Sequence, residues 1–385
     1  MDAKEKVRLI GEKSVEEVLT KQDLKAAIDM GLKLKHYIGF EISGQMHLGT
    51  ALMTGIKIAD FQKAGVKCSC FLADLHTLIN GKLGGDLDVI RETAVGYFKE
   101  GLKLGVQIAG GHPEDVKFML GSELYDKHKS EFLIDVIDVA RNMSLGRAKR
   151  SITIMGRKEA EAVHLAQLLY PPMQVADIFV QGINLAHAGL DQRKAHVIAR
   201  EVAPKLTFHP LIKKVTVKGK KMDQPYKPIA VHHRLVLGLG KPPVWPMKPG
   251  QLKEILSELK MSKSKPNTCV FITDTEKEIE AKLMGAFCPA KEIEFNPILD
   301  WCKHLVFNLR DELEITRPSK YGGDIHFHSY EDLETVFKEG KLHPVDLKRA
   351  VSTSISDILA PARKHFEKPK YKKMLEGLKK AKVTR

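Results

Sequence analysis

The segment of residues 37 to 65 most constrains the fold, because it joins an apolar run, a glycine-bearing loop and a helical pattern. Residues 37 to 42 are largely apolar and predict a buried strand. Two glycines follow in a loop, and apolar residues then recur at helical spacing until Gly65. Such a turn lets backbone approach a nucleotide and directs a helix N-terminus at negative charge. His47 lies in this loop, where an imidazole can donate to phosphate.

A second segment, Lys260 to Lys265, follows a helix-like stretch and offers three lysines and two serines within six residues. This composition suits a mobile loop that closes over a triphosphate. By itself, a lysine-rich loop is most often a solvated surface loop. Downstream of a strand, glycine loop and helix, it becomes informative, since both segments can serve one phosphate-rich ligand.

The composition is that of a globular protein with two or three domains, at 385 residues, 43% apolar and 29% charged. No apolar run approaches the ~18 residues that span a bilayer, and the charged start has no secretory segment. We therefore predict a cytoplasmic protein without membrane contact. Five cysteines lack paired CxxC spacing, so the sequence predicts neither a disulfide framework nor a protein-ligated metal.

The charge indicates phosphate-rich partners. The chain has a net charge of +14, from 62 basic and 48 acidic residues. Residues 361 to 385 hold ten of the basic and two of the acidic residues, so more than half of the excess lies in this tail. A solubilising tail is the alternative interpretation. A second basic run, Lys213 to Lys221, predicts a hairpin or a loop.

Strand-like and helical segments alternate through the first two thirds of the chain, which predicts an α/β fold with a Rossmann-like, doubly wound parallel sheet. The predicted strands are 36–42, 67–74, 116–121, 183–188 and 228–232, and the predicted helices are 51–64, 88–104, 131–148 and 193–206. From about residue 274 the pattern becomes helical segments joined by Pro and Gly turns, which predicts a separate, mostly α-helical C-terminal domain.

A third constellation places Tyr170, Gln174 and Asp177 on one helix face, with two prolines after Tyr170 where a helix is expected to begin. A polar face that turns inward must meet something polar, which favours a ligand site. A solvated helix face is the alternative. Gln192 follows a predicted strand at a strand-to-helix junction, where such folds bind ligands.

Together, the first two segments resemble the HIGH and KMSKS motifs of the class I aminoacyl-tRNA synthetases. The first motif reads His47-Leu48-Gly49-Thr50, so threonine replaces the last histidine, whereas the second is a complete match. Further segments are similar to the tyrosyl-tRNA synthetases of the archaeal and eukaryotic type over nearly the whole chain: Tyr37–Glu41, Leu72–His76, Tyr170–Asp177, Asp191–Lys194, Phe287–Ala290, Tyr321–Asp324 and His343–Asp346.

The resemblance implies a catalytic domain over residues 1–265, with a connective insertion at about 105–165 and the KMSKS loop at about 258–268. It also implies an α-helical anticodon-binding domain over residues 274–385 that includes the basic tail. The implied substrates are L-tyrosine and ATP, with Mg²⁺ arriving on ATP. The implied partners are tRNA(Tyr) and a second copy of the chain, which forms a homodimer through the insertion.

The same resemblance implies roles for individual residues. For L-tyrosine, Tyr37 and Asp177 would bond the phenol, while Tyr170, Gln174 and Gln192 would hold the ammonium and carboxylate ends. For ATP, the implied residues are Gly39, His47, Gly49, Thr50 and Lys263, and those implied to act in catalysis are His47, Lys260 and Lys263. For tRNA, they are Arg150, Arg193 and Lys194 at the acceptor end, with Tyr321 stacking on the first anticodon base and Asp346 hydrogen-bonding it.

Three other classes of protein remain open at this point. A tryptophanyl synthetase would share both phosphate motifs but should lack the pair Tyr37 and Asp177. A generic adenylyl transferase would not need the basic helical C-terminal part. A non-catalytic RNA-binding relative would have lost phosphate-site residues, yet His47 and Lys263 are both present.

Overall fold

A computed structural model describes residues 1–157, 164–217, 220–246 and 259–380. Its central sheet has the strand order β1-β8-β5-β2-β3-β4. Strand β1 runs antiparallel to β8, and the other neighbouring pairs are parallel. This is the doubly wound arrangement that the alternation predicts, and the five predicted strands are confirmed. The six strands are β1 Val15–Leu19, β2 His36–Phe40, β3 Ser69–Leu72, β4 Lys117–Leu120, β5 Leu185–Gly189 and β8 Ile229–His233.

Helices cover both faces of the sheet, as buried parallel strands require. In chain order they are α1 Ala3–Gly11, α2 Lys21–Asp29, α3 Leu48–Lys63, α4 Asp74–Ile79, α5 Leu87–Thr93, α6 Lys99–Ile108, α7 Gly121–His128, α8 Ser130–Ala140, α9 Leu145–Ser151, α10 Leu165–Val180 and α11 Arg193–Val202. A π-helical turn, Ala94–Phe98, joins α5 to α6. The predicted helix over 88–104 is therefore three segments, and that over 131–148 is two.

The remainder of the described chain is mostly helical, as predicted. Its helices are α12 Glu276–Met284, α13 Pro297–Trp301, α14 Phe307–Leu309, α15 Tyr330–Lys338, α16 Pro344–Phe366 and α17 Pro369–Lys380, and its strands β9 Leu313–Ile315 and β10 Ile325–Phe327 form a small antiparallel pair. One hydrophobic core continues from under the sheet into these helices. The domain boundary near residue 265 stays a prediction.

Two glycines bring α3 unusually close to α6. A Cβ at Gly55 would lie 2.0 Å from the Gly105 carbonyl oxygen, and a Cβ at Gly105 would lie 2.3 Å from the Ala51 carbonyl oxygen. No side chain fits such gaps, so the sequence needs glycine at both positions. This contact packs α6, which continues from the π-helical turn, against the helix that begins after His47.

Several sequence predictions need correction or lie elsewhere. Pro171 and Pro172 are inside α10, which begins at Leu165, so they do not mark its start. The helix-like stretch before Lys260 lies largely outside the described residues, as do parts of the insertion and of the tail. By contrast, the hairpin or loop predicted for Lys213 to Lys221 is confirmed as a hairpin of β6 Ile212–Val217 and β7 Lys220–Pro225, whose turn residues are not described.

The two prolines of α10 interrupt its hydrogen bonds without ending it. Proline lacks an amide hydrogen, so each one leaves a carbonyl of the preceding turn without its helical donor. Both prolines are buried, and the helix continues to Val180.

Among the described residues, no helix is long and apolar enough to cross a membrane. The cytoplasmic location stays a prediction.

Candidate active site

A cavity of about 320 Å³ opens at the carboxyl ends of β2, β3, β5 and β8. Ligands bind in this position in open α/β sheets, because the loops there leave a crevice. The structure brings every residue predicted for tyrosine or ATP to its wall: Tyr37, Gly39, His47, Gly49, Thr50, Tyr170, Gln174, Asp177, Gln192, Lys260 and Lys263.

Asp177 lies at the most buried part of the wall and is fully inaccessible to solvent. Tyr125 Oη donates to its Oδ1 at 2.9 Å, whereas Oδ2 has no hydrogen-bond partner among the described residues. His76 Nε2 is 3.7 Å from Oδ2 and also unpartnered. Burial raises the pKa of the Asp177 carboxyl well above its ordinary value, while the Tyr125 hydrogen bond lowers it. A buried acceptor of this kind needs a donor.

Tyr37 reaches the cavity from β2 and is 2% exposed. Its hydroxyl lies over Gly39, where a Cβ would be only 2.5 Å from Tyr37 Oη. Glycine is therefore required there to make room for the tyrosine side chain, a reason that the sequence did not reveal. Any contact of Gly39 with nucleotide stays a prediction.

Two amides form a chain along the wall. Gln192 Nε2 donates to the Ile154 carbonyl at 2.9 Å, and Gln174 Nε2 donates to Gln192 Oε1 at 3.2 Å. Because both amides donate in the same direction, Gln174 Oε1 is buried without a partner among the described residues. It is a second unpartnered acceptor in the cavity wall, after Asp177 Oδ2. Tyr170 packs edge-on against His76, with ring centroids 4.6 Å apart.

His47 caps the N-terminus of α3. The Thr50 amide donates to His47 Nδ1 at 3.1 Å, so the proton of a neutral ring is on Nε2. That nitrogen lies 3.2 Å from Thr50 Oγ1. Burial, followed by Lys263 and Lys260, lowers the pKa of His47 to about 3, so the ring is a neutral donor. Thr50, which replaces the last histidine of the motif, thus contacts His47 through both its backbone amide and its hydroxyl.

The two motif lysines have different partners. Lys263 Nζ donates to Ser43 Oγ at 3.0 Å and lies 5.6 Å from the centroid of the Phe98 ring. Burial lowers the pKa of Lys263 to about 8. Lys260 Nζ instead forms an ion pair with Asp191. Lys263 is therefore the motif lysine that lacks a carboxylate partner within hydrogen-bond distance among the described residues.

Backbone hydrogen bonds fasten the lysine loop to the rest of the cavity wall. The Met261 amide donates to the Val236 carbonyl at 2.9 Å. On the other side of the loop, the Leu48 amide donates to the Val270 carbonyl at 2.9 Å. Backbone hydrogen bonds thus hold both sequence motifs in the same cavity wall, although His47 and Lys260 are 213 positions apart in the sequence.

The residues predicted for tRNA lie outside the cavity. Lys194 Nζ donates to the Arg150 carbonyl at 2.8 Å, which places those two residues side by side on the surface. Arg193 pairs with Glu17 at 2.7 Å. Tyr321 is 61% exposed in a loop that Arg317 ties to the Lys341 carbonyl at 2.9 Å, and Asp346 lies in the first turn of α16. Their roles stay predictions.

Tyr125, Ser43 and Phe98 have no role that the sequence alone indicates, and they contact Asp177 or Lys263. Tyr125 lies in a charged segment of α7, and no periodic signal sets it apart. Phe98 belongs to the π-helical turn, whose register differs from that of an α-helix. Asp191 was part of a matching segment, but its pairing with Lys260 needed the fold.

The carboxylates around the cavity do not form a metal cage. Asn80 donates to Glu41 at 2.7 Å, Asp191 pairs with Lys260, and Asp177 lies at the buried end. Among the described residues, the cluster that meets metal-ligand spacing is His112, Glu114 and Asp115, all of them exposed and not in the cavity wall. The described cavity wall therefore does not fit a resident metal.

The comparisons with known proteins agree with this geometry. The family model described as tRNA synthetases class I (W and Y) matches residues 31–360. The chain is 54% identical to the tyrosine–tRNA ligase of Thermococcus sibiricus and 53% identical to that of Pyrococcus furiosus, in both cases over the full length of each chain. It belongs to the class I tyrosine–tRNA ligase family.

A solved structure of this family extends the likeness to three dimensions. The tyrosyl-tRNA synthetase of Pyrococcus horikoshii, determined as a complex with L-tyrosine, superposes with a TM-score of 0.91 at 50% identity, covering 98% of this chain and all of that one. The predicted fold, a Rossmann-like catalytic sheet with a helical C-terminal part, is that of this ligase family.

Proposed function

We propose that this chain is a tyrosine–tRNA ligase that activates L-tyrosine with ATP and transfers it to the 3′-terminal adenosine of tRNA(Tyr). The observation that carries the choice of amino acid is the buried Asp177 Oδ2, which has no hydrogen-bond partner among the described residues and belongs to the cavity wall that also includes Tyr37. The identity to tyrosine–tRNA ligases over the full chain supports the same substrate.

Tyrosine recognition follows from two buried acceptors that lack partners among the described residues, Asp177 Oδ2 and Gln174 Oε1. The substrate phenol O–H donates a hydrogen bond to Asp177 Oδ2, while Tyr37 contacts the phenol oxygen. The substrate ammonium donates to Gln174 Oε1, whose orientation the chain through Gln192 to Ile154 fixes. Phenylalanine would leave the Asp177 acceptor buried and unpaired, at a cost of ~1–3 kcal/mol or more.

Adenylate formation is a displacement at the α-phosphorus of ATP. The tyrosine carboxylate oxygen forms the new P–O bond, and the bond to pyrophosphate breaks. His47 Nε2–H and the Lys263 ammonium stabilise the charge on the phosphate oxygens, with Thr50 completing the helix N-terminus. Lys260 holds the loop in place through Asp191. The protein does no covalent chemistry, so positioning and electrostatics account for its contribution.

Mg²⁺ enters this proposal as an ion that ATP brings on its phosphates, where it neutralises part of their charge. The lack of free paired carboxylates in the described cavity wall supports this arrangement over a protein-held metal.

The tRNA and a second copy of the chain are the proposed partners. The net charge of +14 favours a polyanion, with Arg150, Arg193 and Lys194 at the acceptor end and Tyr321 and Asp346 at the anticodon. Large apolar side chains are exposed in or beside the connective insertion, which supports homodimer formation there: Leu133, Ile134, Ile137, Leu145 and Leu165.

The experiment is ATP–pyrophosphate exchange with each of the twenty amino acids supplied separately, followed by charging of tRNA(Tyr). Exchange that depends on tyrosine supports the proposal. Exchange that depends on tryptophan would assign the chain to the tryptophanyl enzymes, and exchange without charging would leave an adenylyl transferase. A chain that binds tRNA without any exchange would be a non-catalytic relative.

A further inference from the structure

Three buried histidines form a hydrogen-bonded row across the sheet. His36 on β2, His187 on β5 and His233 on β8 have exposed fractions of 0%, 0% and 8%. His36 Nε2 lies 3.0 Å from His187 Nδ1, and His187 Nε2 lies 2.8 Å from His233 Nδ1. The row begins inside the protein and ends at the active-site cavity, whose wall includes His233. Adenylate formation through His47 and Lys263 leaves these three histidines without a role.

A backbone amide fixes the direction of this row. The Ser69 amide donates to His36 Nδ1 at 3.4 Å, so a neutral His36 has its proton on Nε2 and donates to His187. His187 then donates from Nε2 to His233 Nδ1. The reverse direction would place two N–H groups, those of Ser69 and His36, face to face. Burial lowers the pKa of His36 to about 3 and that of His233 to about 4, so both rings are neutral near pH 7.

The last proton of the row therefore lies on His233 Nε2. This nitrogen has no hydrogen-bond partner among the described residues, although the ring is held at Nδ1. It faces the same small space above Gly189 as Asp191 does: a Cβ built on Gly189 would lie 2.8 Å from Asp191 Oδ1 and 3.5 Å from His233 Nε2. Leu235 Cδ2 would lie 2.8 Å from the same Cβ, so a donor, an acceptor and an apolar side chain border this space at the end of β5.

We propose that His233 is a substrate-positioning residue whose Nε2–H donates to a ribose hydroxyl of ATP beside Asp191. A vicinal diol offers both a donor and an acceptor, which matches this pair. The phosphates are assigned to His47 and Lys263, and the phenol to Asp177, so the ribose is the part of ATP that is left for this pair. The inference rests on the proposed function, and it assigns His187 and His36 the task of keeping the His233 donor oriented.

The test compares His233→Leu, which removes the donor, with His233→Gln, which keeps an N–H. Each is measured with ATP, 2′-deoxyATP and 3′-deoxyATP, by KM in pyrophosphate exchange and by equilibrium nucleotide binding. We expect the wild type to bind one deoxy analogue about 3- to 10-fold more weakly than ATP, which is the effect of losing one neutral hydrogen bond. His233→Leu should bind ATP more weakly by the same factor, and its affinity for that analogue should equal that of the wild type. His233→Gln should recover most of the lost affinity for ATP.

A purely structural role predicts a different pattern. Equal losses for ATP and both analogues in His233→Leu would overturn the proposal, as would a wild type indifferent to both hydroxyls. His196→Leu is the matched control, because His196 and His232 form a similar buried pair, 3.0 Å apart, and neither lines the cavity. It should leave the preference for ATP over its analogues unchanged.

Two further measurements test His233 even if the leucine variant does not fold or the proposed function is wrong. If His233→Leu does not fold, nitrogen NMR of the wild type still decides, since a proton on His233 Nδ1 would overturn the proposal. Absence of tyrosine-dependent exchange in the wild type would count against the proposed function, whereas the binding measurements would continue to test His233. Tyrosine affinity should be unchanged in both His233 variants.

Discussion

Two buried acceptors without partners among the described residues, Asp177 Oδ2 and Gln174 Oε1, are the residue-scale support for the proposed tyrosine contacts. A folded protein rarely leaves such atoms unpaired, and these two belong to residues that line the cavity, where a ligand can supply the missing donors. Their separation along one helix face is what the spacing of Gln174 and Asp177 predicts. The sequence did not indicate Tyr125, whose hydroxyl donates to Oδ1, while Oδ2 has no hydrogen-bond partner among the described residues.

Asp177→Ala should therefore reduce tyrosine selectivity more than ATP binding. Because the variant no longer buries an unpaired acceptor against phenylalanine, we expect discrimination between tyrosine and phenylalanine to fall by about 10- to 100-fold. Exchange kinetics with both amino acids measure it. Tyr125→Phe is the matched control, since it keeps Asp177 and should lose much less. Unchanged discrimination in Asp177→Ala would remove the phenol from this residue.

Lys263 gives a prediction for pH. Its pKa in the free protein is about 8, because burial disfavours the ammonium. The charge is present below that pH and is lost as pH rises through it, so kcat/KM for ATP should decline above about pH 8. Arginine has a far higher pKa, so Lys263→Arg should move this decline upward even if its maximum rate is lower. The same decline in Lys263→Arg would assign the titration to another group.

The sheet was predictable from sequence because its strands are short apolar runs separated by helical periods. The internal prolines of α10 were not, since the helix begins at Leu165 after a histidine that is not a usual N-cap residue, although Gln167 accepts a hydrogen bond from the His164 amide. The contact of α3 with α6 was equally hidden: Gly55 and Gly105 are 50 positions apart, and only the packed pair shows why both lack a side chain.

Gly55→Ala should destabilise the protein strongly, since its Cβ would lie 2.0 Å from a carbonyl oxygen and the helices would have to separate. We expect a loss of at least ~1–3 kcal/mol, measured by denaturant unfolding. Gly377→Ala in α17 is the control, because nothing lies within 4 Å of its Cβ and alanine favours helix by ~1 kcal/mol. A Gly55→Ala variant as stable as the wild type would contradict the packing argument.

The two residues predicted for the anticodon are far along the chain from the cavity, and if they have those roles their substitutions should fail differently. Asp346→Ala should relax the choice of the first anticodon base, because a carboxylate reads the edge of that base. Tyr321→Ala should weaken all anticodons alike, by ~1–3 kcal/mol, since stacking tolerates any base. Charging of transcripts varied at that base measures both. Base preference retained in Asp346→Ala would remove the reading role from this residue.

Helix α17, in the basic tail, packs against the part of the chain that carries the cavity. Helix α17 packs onto the turn before α6: Met374 covers Gly96, and Tyr371 Oη lies 3.4 Å from Glu100. The same turn supplies Tyr97, whose hydroxyl accepts from the Met46 amide at 3.1 Å, and Phe98, which lies beside Lys263. The sequence showed only the basic charge of this segment, because its buried face depends on a partner more than 250 residues away.

Deleting residues 368–385 should therefore do more than weaken tRNA binding. Removal of α17 uncovers the Gly96 turn, so we expect a lower midpoint of thermal unfolding and slower adenylate formation in single-turnover experiments. The control is the double variant Lys372→Ser, Lys373→Ser, which changes two exposed charges and keeps the buried face of the helix. It should reduce the salt dependence of tRNA binding, by a slope of ~0.7–0.9 for each phosphate that the protein no longer neutralises, and leave adenylation at the wild-type rate. If the deletion and the double variant behave alike, the tail acts only through its charge and α17 contributes nothing to the cavity.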